Sequence, residues 1–567
     1  MFRKVLNQDM FSNKPTINIL TSLLLSKGVR KAVLCPGSRN IPIVHNFLEC
    51  DDMECFQVTD ERSAAFYALG LSLATGEPVV VCVTSGSALL NTSPAVVEAF
   101  YRHIPLIVIS ADRPQEWIGR LDGQTMVQPN SLSNYVKSQT DICDVAENDM
   151  IKLNHITMLL NISLNKAVSG ANGPVHINVH IDEPLFDFTC KELPEARNIE
   201  EINSNYIDEV MAASCESVID RFIAANNKVI VIGQIERHDA ELDFIIKNLQ
   251  SKYIVVNEPL SSAYSSPFDK AVQKIKDAFG NNPKFDFVIS LGGTLVSKCI
   301  KNFFRNSDIC EHWEVNADGD IHDMFMHQTG ILACSEKFFL KKLLEKSENE
   351  KTNSSYILWQ KQIDSVSAAI DAYEPSFSQL MAIRELELSL EDMEYDYEVH
   401  YANSMAVRLG CLYSQHYIWC NRGINGIDGS ISTAAGFSLA TDSMVFCVTG
   451  DLSFFYDQNA LWNDMLRGNF RVMIINNGGG FIFRQLKGFD NKDKSMPYVS
   501  GHHAANARGI CEQNDIGYLS ARNTEEFHVA VVHFLTETTN RPIVFEVFTN
   551  EIDDERTIQE LNNLISK

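Results

Sequence analysis

At 567 residues the chain is too long for one hydrophobic core, and its length suggests about three or four domains. Its 45% hydrophobic and 21% charged residues are ordinary for a soluble globular protein, and no apolar run reaches the roughly 18 residues that span a bilayer. A net charge of -25 argues against a nucleic-acid or anionic-membrane surface, so any anionic ligand must be met by cations placed locally. The 14 cysteines are scattered, with no Cys-x-x-Cys pair, which reads as reduced thiols rather than a disulfide frame or zinc site. Met1 to Asp9 has no signal-peptide core. A cytoplasmic protein with no membrane insertion and no nucleic-acid partner is therefore expected.

In chain order, residues 12 to 30 read as a helix leading to the strand Lys31–Cys35 and the loop Pro36-Gly37-Ser38-Arg39-Asn40. Thr59 to Ser63 opens a helix of small and apolar residues, Ala64 to Thr75. The strand Pro78–Val83 runs into Thr84-Ser85-Gly86-Ser87. A helix over Val96 to Tyr101 precedes the strand Leu106–Ile109 and then Ser110 to Pro114. Val175–Val179 is a further strand. Continuous apolar strands alternating with helices predict a parallel sheet covered on both faces.

From about 186 to 206 the composition turns polar and acidic, as in a linker. A second α/β segment follows, with strands at 228–233, 253–256 and 287–290. The polar stretch Glu345 to Ser355 marks another boundary. The expected division is 1–188, 189–355 and 356–567.

The third segment holds the most informative motif. The apolar run Met444–Val448 ends in Thr449-Gly450-Asp451-Leu452-Ser453, and Val472–Ile475 ends in Asn476-Asn477-Gly478-Gly479-Gly480. Asp457 to Trp462, between them, reads as a helix. An acid at one strand tip and an amide at the next suit a Mg²⁺ ion that also holds a diphosphate. Glycines 478 to 480 allow close backbone approach, and the helix start after Asp451 favours anions. The first and third segments also repeat each other. Gly70-Leu71-Ser72-Leu73-Ala74-Thr75 matches Gly436-Phe437-Ser438-Leu439-Ala440-Thr441, and two strands keep nearly the same offset. Two sister domains flanking a central one are expected.

On residue type alone, Glu61 reads as an acid in the first turn of a helix, favoured by the helix dipole. Arg39, Arg113 and Arg422 follow expected strands, where open α/β sheets bind ligands. Ser404 and Arg408 stand at i and i+4, on one face if this stretch is helical. His45, His502 and His503 show no pattern of a catalytic base.

These pieces resemble the thiamine-diphosphate enzymes, which have a pyrimidine-binding, a central and a diphosphate-binding domain. The resemblance rests on Cys35–Arg39, Asp60–Arg62, Val83–Gly86, Ala111–Pro114, Asn421–Gly423, Gly426–Gly429 and Gly450–Ser453. It is close over both outer domains and weak from roughly 190 to 355. More narrowly, the chain is similar to the branch that joins 2-oxoglutarate to isochorismate in menaquinone biosynthesis, as a homodimer or homotetramer with sites at the subunit interface.

The resemblance implies an α/β fold of three domains, each a mostly parallel sheet flanked by helices, with thiamine diphosphate and Mg²⁺ (or Mn²⁺) as cofactors. It makes Glu61 the catalytic acid that bonds the pyrimidine ring, and Ile427 the apolar support of the bent cofactor. Ser85, Gly86, Gly450, Asp451, Leu452, Ser453, Asn477 and Gly479 fall at cofactor positions, and Asp451, Asn477 and Gly479 are the metal ligands. The choice of Asn477 over Asn476 rests on alignment. Ser38, Arg39, Arg113, Gln124, Lys298, Ser404, Arg408, Arg422, Ile482 and Phe483 match substrate-contacting positions. Core packing is a rival reading for the last two, and Cys299 stands where the family often has a basic residue or proline. Two alternatives stay open: an acetolactate-synthase-like carboligase or 2-oxo-acid decarboxylase, and a non-catalytic protein that kept the fold.

Overall fold

A computed structural model of the chain describes residues 10–201, 209–236, 238–280, 282–348, 354–485 and 494–567. Residues 202–208, which overlap the end of the first expected linker, and 349–353, which fall in the second boundary stretch, lie outside the described residues.

Three parallel sheets carry the fold, as expected for the α/β class. Edge to edge, the first is Glu54–Gln57, Lys31–Leu34, Val79–Val83, Leu106–Asp112, Val175–His180 and Ser138–Cys143. The last is Ile418–Trp419, Tyr397–Tyr401, Met444–Gly450, Phe470–Asn476, Ile543–Phe548 and Gly517–Ala521. Ranked by chain position, both read second, first, third, fourth, sixth, fifth, and every pairing is parallel. The repeat seen in sequence is thus a repeat of topology. In both sheets the strand order reverses between the first and third strands, a switch point whose carboxyl-end crevice is where such folds bind ligands. The central sheet runs Gly330–Leu332, His312–Val315, Phe287–Leu291, Lys228–Ile232 and Ile254–Asn257, again all parallel.

Central strands such as Val79–Val83 and Phe470–Asn476 are buried along their whole length, because helices cover both faces. The helix Glu61–Thr75 starts where the Asp60 side chain accepts the Arg62 N–H at 2.9 Å and stops at Gly76, whose φ of +70° is left-handed. Its small residues serve packing. A methyl group placed on Gly70 would lie 2.0 Å from the Thr433 carbonyl oxygen, and one on Gly436 would lie 2.2 Å from that of Tyr67. The two repeated helices therefore cross backbone to backbone at their matching glycines.

One expected element differs. The helix between the motif strands is Asp451–Tyr456, and Gln458–Leu461 is only a 3₁₀ turn. The buried Asp457 side chain accepts both the N–H and the hydroxyl of Ser432 at 2.8 Å, which draws the chain inward and ends the helix. Packing divides the chain into two compact units. One is Met1–Asn203 with Ile431–Asp442 and Asp457–Arg467; the other is Ser204–Ser430, Ser443–Tyr456 and Gly468–Lys567. Among the described residues, no helix is long and apolar enough to cross a membrane.

Candidate active site

In the first unit, the expected residues gather on the loops after the strands. A methyl on Gly37 would strike the Thr84 side chain at 2.2 Å, so the Ser38–Arg39 loop lies against the Thr84–Gly86 loop. Gly86 has φ +87°, and its would-be methyl meets the Gln124 backbone at 3.3 Å. Its N–H donates to Gln128 Oε1 at 2.7 Å. Arg113 follows the strand Leu106–Asp112, and its Nε donates to the Gly123 carbonyl at 3.1 Å, beside Gln124. Ser38 and Gln124 are exposed. Arg39 is buried, donating to the Ile181 carbonyl at 3.0 Å and pairing with Glu183 at 3.0 Å. Glu61, half-buried in the first helical turn, accepts from Asn91 Nδ2 at 3.1 Å. It lies near the Cys35 thiol, whose pKa is pushed up by burial first and by the Glu61 charge second.

The second unit holds the strand-tip motif. Asp451 is 3% exposed. Its Oδ1 accepts the Leu452 N–H at 2.6 Å, and its Oδ2 accepts the Gly478 and Gly479 N–H groups at 2.9 and 3.0 Å. Burial pushes the Asp451 pKa up, opposed by these bonds and by His503, whose Nε2 is 3.4 Å from Oδ2. Asn476 is buried and turned inward, donating to Glu546 Oε1 at 2.7 Å and the Ala505 carbonyl at 3.0 Å. Asn477 is half-buried. Its Nδ2 donates to Asp554 at 2.9 Å, and its Oδ1 makes no hydrogen bond among the described residues. Gly479 has φ +158°, and among the described residues its carbonyl accepts only the Phe481 N–H at 3.1 Å, leaving a lone pair.

This donor set fits a hard divalent cation carrying a diphosphate. One carboxylate, one amide oxygen and one carbonyl are all hard oxygens, and a cation would offset the cost of burying Asp451. A methyl on Gly450 would meet nothing within 4 Å, so there is open space beside the strand tip. Ser453 Oγ donates to the Ile427 carbonyl at 2.6 Å and ties the Ile427 loop to the motif. The Ile427 side chain is 42% exposed, apolar surface that a bound ring system would cover. Among the described residues, no cluster of three His, Cys, Asp or Glu offers a rival metal site.

The same unit also holds the expected cations. Arg422 is buried after the short strand Ile418–Trp419. It donates to Asn403 Oδ1 at 2.8 Å, while its buried Nε has no partner among the described residues. Ser404 precedes the helix Met405–Tyr413 with φ +76°, and Arg408 lies one turn into that helix. Arg408 donates to the Val296 carbonyl at 3.3 Å, and both burial and Arg422 lower its pKa. Lys298 is exposed at the start of the helix Lys298–Arg305 and lines a cavity of about 230 Å³ with Arg408 and Glu258. Ile482 and Phe483 are half-buried in the turn Phe481–Gln485, and the Phe483 ring lies 2.7 Å from a methyl placed on Gly480.

Four residues here escape sequence reading. Glu258 is buried and takes the Val296 and Ser297 N–H groups at 2.6 and 2.8 Å. Burial pushes its pKa to about 7. Asn403 braces Arg422, and His503 flanks Asp451. Asp554 holds Asn477, and its pKa is pushed to about 6 by burial. Only Glu258 carried a signal, an acid directly after an apolar strand.

A model of the thiamine pyrophosphate enzyme N-terminal TPP binding domain matches residues 16–137, and one of the C-terminal TPP binding domain matches residues 402–547. The 2-succinyl-5-enolpyruvyl-6-hydroxy-3-cyclohexene-1-carboxylate synthase of Phocaeicola vulgatus is 38% identical over 561 residues, covering 97% of this chain and 98% of its own length. The synthase of that name from Bacteroides fragilis is 36% identical, covering 97% and 99%. That of Porphyromonas gingivalis is 33% identical, covering 98% of both.

Proposed function

The chain belongs to the 2-succinyl-5-enolpyruvyl-6-hydroxy-3-cyclohexene-1-carboxylate (SEPHCHC) synthases, which are thiamine-diphosphate enzymes, and from that premise we propose how its own residues serve the reaction. It is a decarboxylating transferase of menaquinone biosynthesis. 2-Oxoglutarate loses CO₂, and its remaining four carbons add in a 1,4 sense to isochorismate. Thiamine diphosphate, held through Mg²⁺ or Mn²⁺, supplies the electron sink for this chemistry when bound.

Asp451, the Asn477 amide oxygen and the Gly479 carbonyl would hold the metal. Ser85, Gly86, Gly450, Leu452 and Ser453 would line the cofactor, and Ile427 would pack against its rings. Glu61 would accept or hold a proton at the pyrimidine ring nitrogen when the cofactor is bound. Arg422 and Arg408 receive substrate carboxylates, with Ser38, Arg39, Arg113, Gln124, Lys298 and Ser404 completing the polar lining and Ile482 and Phe483 the apolar one. Arginine forks suit carboxylates, and both substrates are dicarboxylates.

The observation that carries this assignment is Arg422. It is a buried guanidinium whose Nε has no partner among the described residues, in the same compact unit as the Asp451–Asn477 clamp. A decarboxylase of small monoanionic acids has no need of such a donor. Members of the wider family are typically oligomeric. We place the Glu61 face of one subunit against the Asp451 face of another, in a homodimer or homotetramer. Fourteen free thiols support a cytoplasmic setting.

Purified protein with Mg²⁺, thiamine diphosphate, 2-oxoglutarate and isochorismate is expected to release CO₂ and consume isochorismate. Consumption of pyruvate with no use of isochorismate would favour an acetolactate-synthase-like reading instead.

A further inference from the structure

The two tandem asparagines at the strand tip are both oriented by buried carboxylates. Asn476 gives its NH₂ to Glu546 and is committed to the core. Asn477 gives its NH₂ to Asp554 Oδ2 at 2.9 Å. Asp554 is fully buried in the first turn of the helix Glu551–Ser566. Its Oδ1 accepts the Gln379 backbone N–H at 2.8 Å, and its Oδ2 also accepts the Thr549 hydroxyl at 2.9 Å. Its hydrogen-bond partners are three neutral donors, with no ion pair among the described residues.

Burying a carboxylate without a cation is costly, and a neutral side chain of the same shape would cost less. What a carboxylate adds is that it only accepts. An amide facing an acceptor-only group has one orientation available: NH₂ toward the acid, oxygen away from it. Asn477 Oδ1 is thereby left without a hydrogen bond, which is the state a metal ligand requires.

We propose that Asp554 is a positioning residue for the metal site, one that fixes the Asn477 amide with its oxygen presented to the cation. This rests on the cofactor reading above, and it concerns orientation, not charge near the metal. Partners of this kind, one step removed from the metal, typically change metal affinity 10- to 100-fold when altered.

Asp554→Asn tests it with almost no change of shape. The new amide keeps its oxygen on the Gln379 N–H, so its NH₂ meets the NH₂ of Asn477. Asn477 must then turn and offer NH₂ to the metal. Mn²⁺ binding, titrated by electron paramagnetic resonance in the presence of thiamine diphosphate, is expected to weaken about 10- to 100-fold. The exchange Asn477→Asp with Asp554→Asn restores a donor–acceptor pair and an oxygen ligand, so it should bind Mn²⁺ distinctly more tightly than Asp554→Asn alone. Wild-type affinity in Asp554→Asn, or no recovery in the exchanged pair, would overturn the proposal. Should Asp554→Asn fail to fold by near-ultraviolet circular dichroism, the exchanged pair is compared with Asn477→Asp alone, which sets two acids face to face. Equal affinity of those two overturns the proposal, and tighter binding by the pair supports it. Wild-type protein that binds no Mn²⁺ with thiamine diphosphate would overturn the cofactor reading itself.

Discussion

Glu258 makes a prediction whose size follows from its surroundings. Its carboxylate takes two backbone N–H groups of the loop that leads to Lys298, and that loop's Leu295 and Val296 carbonyls accept from Arg422 and Arg408. Burial raises its pKa from 4.5 to about 7; the two N–H groups and Arg422 oppose the rise, and Asp269 adds to it. Lys301 and Arg408 also face it, and the pKa of each is lowered mainly by burial. At 1.36 kcal/mol per pH unit, the rise corresponds to about 3 kcal/mol. Between pH 4.5 and 7 the folded protein binds more protons here than the unfolded chain. The stability from this group is therefore complete below pH 4.5 and is lost as pH rises towards 7. About 2.5 kcal/mol of the loss falls between pH 5 and pH 8. Glu258→Gln cannot ionise, but it leaves one backbone N–H unpaired, at about 1–3 kcal/mol at any pH. The variant should be the less stable protein at pH 5 and equal or more stable at pH 8. Urea midpoints of both proteins across that range measure the gap, and slopes shared by both, such as that from Asp554, cancel. Parallel profiles would refute the reasoning.

Glu61→Gln should leave Mg²⁺-dependent thiamine-diphosphate binding largely intact while turnover falls about 10²- to 10⁴-fold; unchanged turnover would remove Glu61 from the chemistry. Arg422→Lys keeps the charge but loses the guanidinium fork, so kcat/KM should fall about 10- to 100-fold, and an unchanged value would take Arg422 out of substrate binding. Gly436→Val drives a side chain into the Tyr67 backbone, and the thermal midpoint should drop by an amount matching at least about 1–3 kcal/mol. A wild-type midpoint would refute the close helix crossing.

The sheets were legible wherever strands are buried on both faces. Val79–Val83, Leu106–Ile109 and Val472–Ile475 are unbroken apolar runs because helices cover them. Edge strands were not legible. Glu54–Gln57 is half polar, and Ile418–Trp419 is two residues long, so neither has a period to read. The helix over Asp457 to Trp462 misled because Asp457 is drawn into a bond with Ser432, a contact that local propensity cannot see. The candidate ligands were legible because strand tips at switch points present side chains to a crevice. Their supports were not. Glu258 bonds residues 38 and 39 positions away, and Asp554 reaches Gln379 across 175 positions. In sequence, Asp554 is one more acid in a helical first turn.

The sister domains also explain why one strand tip suits a metal and its counterpart does not. In both domains, loops at the strand tips carry backbone N–H groups that need acceptors away from water. In the last sheet, Asp451 accepts from Gly478 and Gly479 and brings a full negative charge. In the first sheet, the acceptor for Gly86 is the neutral amide of Gln128, whose own NH₂ is taken up by Asn178 at 2.8 Å and the Ala111 carbonyl at 3.2 Å. The backbone requirement is met equally in both places, but only one solution leaves charge for a cation to neutralise. After the third strand of the first sheet, Ser85-Gly86-Ser87 stands where Asp451 stands in the last, so that tip carries no carboxylate. That suits an uncharged heterocycle, whereas the charged tip suits a metal and diphosphate. The sister domains thus differ in the side chains that accept backbone N–H groups at their strand tips, a carboxylate in the last sheet and a neutral amide in the first.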